Sequence, residues 1–278
     1  MVWMEGLAAT VKTVGALGNI AKSSPIVARQ AKRTWWRIAR GAVTLPVFGA
    51  GGVGKSTAAQ VLAGQSPYDA YKPYTASWWA ESVPLKGDIP GSIKVVPGQL
   101  ARMDRHWPAL FKTVVNGKAL GLINVVAYGY HSLELPSFPE HHLWKEGQSI
   151  EEFADRYMEA RRETEISLLD ELLAGISAVT TPVWMITLVN KQDLWWDRRN
   201  VVRQHYENGL YSERLDRFRA RLGSQAFQHE FLPVSLAIAN LTTGSGEILA
   251  SSVAGYGVDQ QRKALETMSS QIRKMIEQ

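Results

Sequence analysis

Residues 49–56 read Gly49-Ala50-Gly51-Gly52-Val53-Gly54-Lys55-Ser56, and they stand between the apolar run Ala42–Phe48 and a stretch of helical periodicity at 56–63. This spacing matches G-x-x-x-x-G-K-[ST], in which glycines let the backbone N–H groups turn inward around phosphate oxygens. The N-terminus of the following helix adds the positive end of its dipole. The stretch therefore predicts a phosphate-binding loop between a strand and a helix.

Each position of this loop has an expected role. Lys55 is expected to reach the β- and γ-phosphates of a nucleotide, and the Ser56 hydroxyl to bind Mg²⁺. Pro46 departs from the pattern, because it removes a backbone donor from a strand that should be central. The other predicted phosphate contacts are Gly49, Gly51, Gly52, Val53, Gly54 and Thr57.

From residue 42 onward, short apolar runs alternate with helical stretches, which is typical of a parallel sheet covered on both faces. We predict an α/β fold of the P-loop NTPase class with a mostly parallel sheet. Asn208-Gly209 is a point at which one predicted helix could break. The predicted strands are Ala42–Phe48, Ser92–Val96, Leu120–Ala127, Val183–Val189 and Glu230–Val234, and the predicted helices are 56–63, 150–177, 197–222 and 259–276.

Three shorter patterns accompany these elements. Ser149 and Glu152 form a capping-box pattern before the helix at 150–177, whose leucines 168, 169, 172 and 173 are expected in a core or an interface. Residues 131–148 form a predicted loop insertion. Its histidines 131, 141 and 142 lack a further ligand at metal-binding spacing, so we expect a solvated loop there.

The excess positive charge of the chain lies in residues 1–40, which carry seven Lys and Arg against one Glu, a net +6 within a total of +5. Apolar residues at helical spacing predict that this segment is an amphipathic, basic helical arm. The remainder has a net charge of −1, so nucleic acid is not favoured as a partner. The absence of cysteine excludes disulfides and cysteine-ligated zinc.

A second motif, Asn190-Lys191-Gln192-Asp193, directly follows the apolar run Val183–Val189. The Asp193 carboxylate can accept hydrogen bonds from the N1–H and the 2-amino group of guanine, which adenine does not offer. A buried acceptor left unpaired makes rejection of adenine strong. The Lys191 stem can lie along the base, and Asn190 can connect this loop to the phosphate loop.

These two motifs resemble the phosphate and guanine motifs of the Ras-like (TRAFAC-class) small GTPases. Pro233–Ala237 is similar to a weaker guanine motif of that family, which implies base contacts from Ser235 and from the backbone N–H of Leu236. The resemblance covers about 42–278. It implies a GTPase domain over 41–278, GTP or GDP with Mg²⁺ as ligands, an activating or exchange factor, an effector protein, and a cytoplasmic location.

The switch segments depart from the family pattern D-x-x-G-Q, since residues 95–99 read Val-Val-Pro-Gly-Gln. The resemblance implies that Gly98 meets the γ-phosphate and that Gln99 orients the attacking water. Val95 cannot replace the aspartate that holds a Mg²⁺-bound water. The V-P-G-Q ending looks like the bacterial gliding-motility and polarity small GTPases, whose partners are roadblock-type regulators. Thr75 is the best candidate for the switch threonine that ligates Mg²⁺.

Several alternatives stay open at this stage. The chain is predicted to be a slowly hydrolysing switch GTPase. Val95 favours a GTP-binding scaffold that does not hydrolyse, while a P-loop small-molecule kinase is disfavoured by residues 190–193. The arm is similar to that of the Arf branch, and it either binds an anionic membrane surface from the cytoplasmic side or docks on protein. Trp195-Trp196 would rim either the nucleotide or a partner.

Overall fold

The computed structural model describes residues 43–71, 80–85, 91–98, 100–119, 121–133 and 135–277. The N-terminal arm, Thr75 and Gln99 lie outside the described residues. The helical arm and the roles given to these two residues therefore stay predictions.

In the described part of the chain, six strands form one sheet in the order β2-β3-β1-β4-β5-β6. β2 is antiparallel to β3, and the other neighbouring pairs are parallel. β4 and β5 are buried at every residue, as expected for strands covered on both faces. The strands are β1 (Val43–Phe48), β2 (Glu81–Pro84), β3 (Gly91–Val95), β4 (Gly121–Val126), β5 (Val183–Val189) and β6 (Phe227–Pro233).

Helices alternate with the parallel strands, and one of them, between β3 and β4, was not predicted from the sequence. The predicted α/β class with a mostly parallel sheet is confirmed, and α1 packs on β1 and β3 while α6 and α7 pack on β6. The helices are α1 (Lys55–Leu62), α2 (Pro67–Ala70), α3 (Leu100–Val115), α4 (Ile150–Gly175), α5 (Arg199–Glu207), α6 (Leu210–Leu222) and α7 (Val258–Glu277). A small hairpin of β7 (Leu241–Thr242) and β8 (Ile248–Ala250) stands apart from the sheet.

The prediction of one helix over 197–222 is wrong, because the chain breaks between α5 and α6. Gly209 adopts an extended conformation with φ −104° and ψ −166°, so the helical hydrogen-bond series cannot continue through it. A Cβ at this position would lie 2.5 Å from the carbonyl oxygen of His205, which makes glycine necessary at the close turn. The break allows α6 to turn back and pack beside α5.

Pro46 is accommodated in the central strand β1 because the hydrogen bonding between β1 and β4 is interrupted at this residue. The carbonyl of Val47 accepts from the N–H of Val96 on the β3 side (3.4 Å). Backbone groups of successive strand residues point to opposite sides, so those of Pro46 face β4. Within the described residues, β1 pairs with β4 at Val47 and Phe48, and Thr44 forms a separate bridge to Ala119 before β4, so Pro46 lies between the paired positions.

The capping box and the leucine stripe of α4 are confirmed. The Ser149 side chain accepts from the N–H of Glu152, whose carboxylate in turn accepts from the N–H of Ser149. The predicted leucines of α4 are buried in the core.

The prediction of a solvated histidine loop over 131–148 is wrong for two of its three histidines, and His142 alone is exposed. His131 and His141 are buried, and the ring of Phe138 lies 5.4 Å from that of Phe153 in α4. The N–H of Phe138 also donates to the carboxylate of Glu247, which precedes β8 (3.1 Å). Among the described residues, no group of three His, Asp or Glu side chains is arranged to hold a metal ion.

None of the helices in the described ranges is both long enough and apolar enough to cross a membrane.

Candidate functional site

The loops that follow the parallel strands meet around a cavity of about 530 Å³. The carboxyl ends of parallel strands lie at the same edge of a sheet, and this edge is where ligands bind in open α/β folds. The cavity therefore brings together loops that are far apart in sequence. Its walls include Gly51, Gly52, Gly54, Lys55, Ser56, Thr57, Glu81, Gly98, Ser132, Asn190, Lys191 and Leu236.

The phosphate loop has the backbone conformation that its glycines predict. Gly49, Gly52 and Gly54 have φ of 131°, 76° and 97°, a region that other residues rarely adopt. A Cβ at Gly49 would lie 2.1 Å from the carbonyl oxygen of Val125, and one at Gly52 would lie 2.6 Å from the N–H nitrogen of Ser132. Larger residues at these positions would push the loop away from the sheet.

Lys55 lies at the base of this loop with 8% of its surface exposed. Its ammonium group donates to the carbonyl oxygen of Ala50 at 2.7 Å. Burial lowers the pKa of Lys55 to about 7, and the nearby Glu81 carboxylate partly opposes this shift. A buried cation of this kind favours an anionic ligand, which would replace the lost hydration.

The loop after β3 closes against the phosphate loop. The carbonyl of Gly98 accepts from the N–H of Gly51 at 3.0 Å, and a Cβ on Gly98 would lie 2.3 Å from Nζ of Lys55. Gly98 is therefore beside the lysine that is predicted to contact phosphate. Val95, in the position of the family's aspartate, is 2% exposed and belongs to the core.

Asn190, in the predicted guanine loop (residues 190–193), is hydrogen-bonded to two other loops of the site. Its side-chain Nδ2 donates to the carbonyl of Val53 (2.7 Å), and its Oδ1 accepts from the N–H of Leu236 (3.0 Å). The predicted connection to the phosphate loop is thus present as a hydrogen bond. The Leu236 N–H, predicted to contact the base, is donated to Asn190 instead.

Asp193 is held by the loop after β6. Its Oδ1 accepts from the Ser235 hydroxyl at 2.5 Å and its Oδ2 from the N–H of Ala239 at 3.1 Å. Burial raises the pKa of Asp193, and the bond from Ser235 opposes this effect. The residue is 1% exposed and is not part of the cavity wall, but each carboxylate oxygen has a second lone pair available for a base edge.

Ser132 is a site residue that was not predicted from the sequence, and it contacts Lys191. The backbone of Lys191 is left-handed (φ 60°), and the ammonium group of Lys191 donates to the hydroxyl of Ser132 at 2.9 Å. Ser132 also donates its own N–H to the carbonyl of Gly52 (3.0 Å), so it contacts both motifs. Burial lowers the pKa of Lys191 to about 7, against the opposing effect of Asp193. No local motif marks Ser132, since its role depends on two distant loops.

A buried carboxylate, Glu165 of α4, supports the chain around Ser132. Its Oε1 accepts from the N–H of Ala127 and from His131 Nε2, both at 2.8 Å, and its Oε2 accepts from the Tyr206 hydroxyl at 2.6 Å. Burial alone would raise the pKa of Glu165, but the hydrogen bonds from His131 and Tyr206 hold it below its usual value. Glu165 therefore anchors residues 127–131 as an anion.

Replacing Glu165 with glutamine is expected to lower the free energy of unfolding by about 2–4 kcal/mol. The amide keeps the volume but presents two donors to groups that need an acceptor. Urea denaturation measures the change, and Glu163→Gln, on an exposed face of the same helix, is the control. Equal stability of the two variants would show that the buried network contributes no net stability.

Trp195 supports the guanine loop from within the core. It is 2% exposed, and its indole N–H donates to the carbonyl of Asn190 at 2.9 Å. The expectation that it rims a ligand or a partner is therefore wrong. The Trp196 ring packs against Tyr256, with ring centroids 5.3 Å apart.

No protein-family model matches the chain, and no curated protein is significantly similar to it in sequence. Among solved structures, the mammalian SRP receptor is similar with 15% identity and a TM-score of 0.45, covering 82% of this chain and 98% of that one. The signal recognition particle receptor SRb-GDP of Chaetomium thermophilum has 11% identity and a TM-score of 0.37, covering 70% and 89%. The small COPII coat GTPase SAR1 of Encephalitozoon cuniculi, in complex with GDP, has 12% identity and a TM-score of 0.33, covering 99% and 97%.

Proposed function

We propose that this protein binds GTP and GDP and acts as a molecular switch that hydrolyses GTP slowly with Mg²⁺. The observation that carries the proposal is the hydrogen bond from Asn190 to Val53, which fixes the guanine loop against the phosphate loop on one cavity. The cavity volume of about 530 Å³ lies in the usual range for small-molecule sites. Neither motif alone would specify a nucleoside triphosphate with a guanine base.

The phosphate end of the site would be bound by charge and by backbone donors. Lys55 would neutralise the β- and γ-phosphates, while the backbone of Gly52 to Thr57 would surround them. The Ser56 hydroxyl would hold Mg²⁺, together with Thr75 from the segment outside the described residues. When bound, Mg²⁺ would neutralise the charge that develops on the phosphate oxygens.

The base end would be recognised by Asp193 and Lys191. The second lone pairs of the Asp193 carboxylate would accept from the N1–H and 2-amino groups of guanine, with Ser235 keeping the carboxylate oriented. The base would have to reach this carboxylate from the cavity beside Lys191. Adenine cannot donate at these positions, so it would leave a buried acceptor unpaired.

Hydrolysis would depend on positioning rather than on covalent chemistry. Gln99 would orient the attacking water, and the Gly98 N–H would meet the γ-phosphate. Without an arginine supplied by a partner, turnover is expected on the order of 10⁻⁴ to 10⁻² per second. An activating protein, an exchange factor and an effector are therefore part of the proposal. Residues 1–40 would provide either cytoplasmic-face membrane attachment or a protein docking segment.

A GTP-binding scaffold without hydrolysis is the second candidate, and Val95 is the observation that favours it. This side chain is buried in the core and cannot hold a metal-bound water. A small-molecule kinase would not need the guanine loop, so we do not propose one.

The nucleotide content of the purified protein, followed by single-turnover GTP hydrolysis, tests the proposal. We expect GDP or GTP to be recovered, GTP to outcompete ATP, and Mg²⁺-dependent turnover in the range given above. Tight GTP binding without turnover, even with candidate partners added, would favour the scaffold. A preference for ATP, or no nucleotide binding, would refute the proposed function.

A further inference from the structure

Glu81, at the start of β2, places a carboxylate beside the phosphate loop. β2 is antiparallel to β3, and Glu81 lies directly opposite Val95 in that pairing. Side chains of directly opposed residues in an antiparallel pair project from the same face of the sheet, with Cβ atoms about 5 Å apart. The carboxylate is therefore next to the position where the family pattern has an aspartate and this chain has valine.

Glu81 is hydrogen-bonded to the phosphate-loop residue that is predicted to bind Mg²⁺. The Ser56 hydroxyl donates to Oε1 of Glu81 at 3.3 Å, and both residues line the same cavity. Oxygens on adjacent corners of a Mg²⁺ octahedron are about 3 Å apart, because each lies about 2.1 Å from the ion. The two oxygens already approach the separation that a shared Mg²⁺ would require.

Charge gives an independent reason for a cation at this point. The phosphates of a nucleotide would bring several negative charges to the cavity wall that carries the Glu81 carboxylate. A carboxylate and a phosphate at short distance in a partly buried site repel strongly unless a cation lies between them.

We propose that Glu81 supplies the carboxylate of the Mg²⁺ site, together with the Ser56 hydroxyl, in place of the aspartate that is absent at position 95. The inference rests on the proposed function, since the nucleotide phosphates complete the site. Mg²⁺ is usually held by one or two carboxylates with substrate phosphates and waters.

With Glu81 as a Mg²⁺ ligand, Val95 no longer implies that the site lacks a carboxylate. Valine provides no carboxylate at the end of β3, but Glu81 of the neighbouring strand β2 provides one on the same face of the sheet. Loss of the family's aspartate then does not by itself remove the metal ion from the site.

The test compares Glu81→Gln with wild type in the release of a fluorescent GDP analogue, measured with Mg²⁺ and with EDTA. In wild type, with Mg²⁺ at ten or more times its dissociation constant, chelation is expected to accelerate release at least about 10-fold, because the ion stabilises the GDP complex by mass action. In Glu81→Gln, the ratio of the release rate in EDTA to the release rate in Mg²⁺ is expected to fall toward one. Release in EDTA is expected to be unchanged or slower, because the repulsion between Glu81 and the phosphates is gone. Glu230→Gln, an exposed glutamate on the opposite edge strand β6, is the matched control and is expected to keep the wild-type ratio.

Manganese binding provides a second readout without turnover. Electron paramagnetic resonance of Mn²⁺ added to the GDP complex is expected to show at least about 10-fold weaker binding in Glu81→Gln than in Glu230→Gln. A wild-type Mg²⁺ ratio and wild-type Mn²⁺ affinity in Glu81→Gln would overturn the proposal. So would faster release by the same factor with and without Mg²⁺, which would indicate a structural role. If the wild-type protein binds no GDP under either condition, the proposed function itself fails, and the metal site fails with it.

Discussion

Replacing Lys55 with methionine is expected to weaken GTP binding by at least about 100-fold. The ammonium group lies inside the phosphate loop, 2.7 Å from the carbonyl of Ala50 and with little exposure to water. Each charge-assisted hydrogen bond that it would donate to a phosphate contributes roughly 1.5–3 kcal/mol, and about 1.4 kcal/mol corresponds to a tenfold change in affinity. Methionine fills a similar volume and offers no donor. Isothermal titration with GTP measures the loss.

Lys118→Met is the matched control, because that lysine is exposed in the turn before β4. Its removal changes the net charge equally and should leave GTP affinity within about twofold of wild type. A Lys55→Met protein that binds GTP as tightly as this control would refute the assignment of Lys55 to the phosphates.

The same lysine should make nucleotide affinity depend on pH. Burial lowers the pKa of Lys55 to about 7 in the nucleotide-free protein, and bound phosphates would raise it by favouring the charged form. Binding then takes up a proton above pH 7, so GDP affinity should fall as pH rises from about 7.5 to 8.5, by at most about tenfold. The dependence should disappear in Lys55→Met, although the pKa of Lys191 is also lowered to about 7, since Lys191 is bonded to Ser132 and not placed in the phosphate loop.

Changing Asp193 to asparagine is expected to reduce the preference for GTP over ATP by at least about 100-fold. The carboxylate can accept two hydrogen bonds from guanine, while an asparagine amide turns one of these acceptors into a donor. Xanthine carries an oxygen where guanine carries the 2-amino group, so xanthosine triphosphate should bind the variant better than it binds wild type. Competition titrations with the three nucleotides measure both effects.

Asp197→Asn provides the control, since Asp197 is exposed and lies one helical turn beyond the guanine loop. It removes the same charge and should preserve the GTP preference. Thermal unfolding of Asp193→Asn should be measured in parallel, because the carboxylate also holds Ser235 and the N–H of Ala239. An unchanged ratio of GTP to ATP affinity in a folded Asp193→Asn protein would refute guanine recognition by this residue.

Elements with strong local patterns were predicted from the sequence with nearly their observed bounds. β5 occupies Val183–Val189 as predicted, since an unbroken apolar run suits a strand buried on both faces. The helix α3 was not predicted, because Pro108 interrupts its pattern. Its buried face was nevertheless present in the sequence, with Trp107, Leu110 and Val114 at helical spacing.

The sequence by itself determined where the two motif loops lie and which side chains they carry, because each motif consists of a few consecutive residues. Tertiary structure alone decided what surrounds them. His131 and Glu165 are 34 residues apart, and the Ser132 hydroxyl meets Lys191 across 59 residues. Glu81 reaches Ser56 because β2 folds back against β3, a pairing that depends on register between strands. Such contacts have no local signature, since hydrogen bonding and burial across a sheet are set by the fold as a whole.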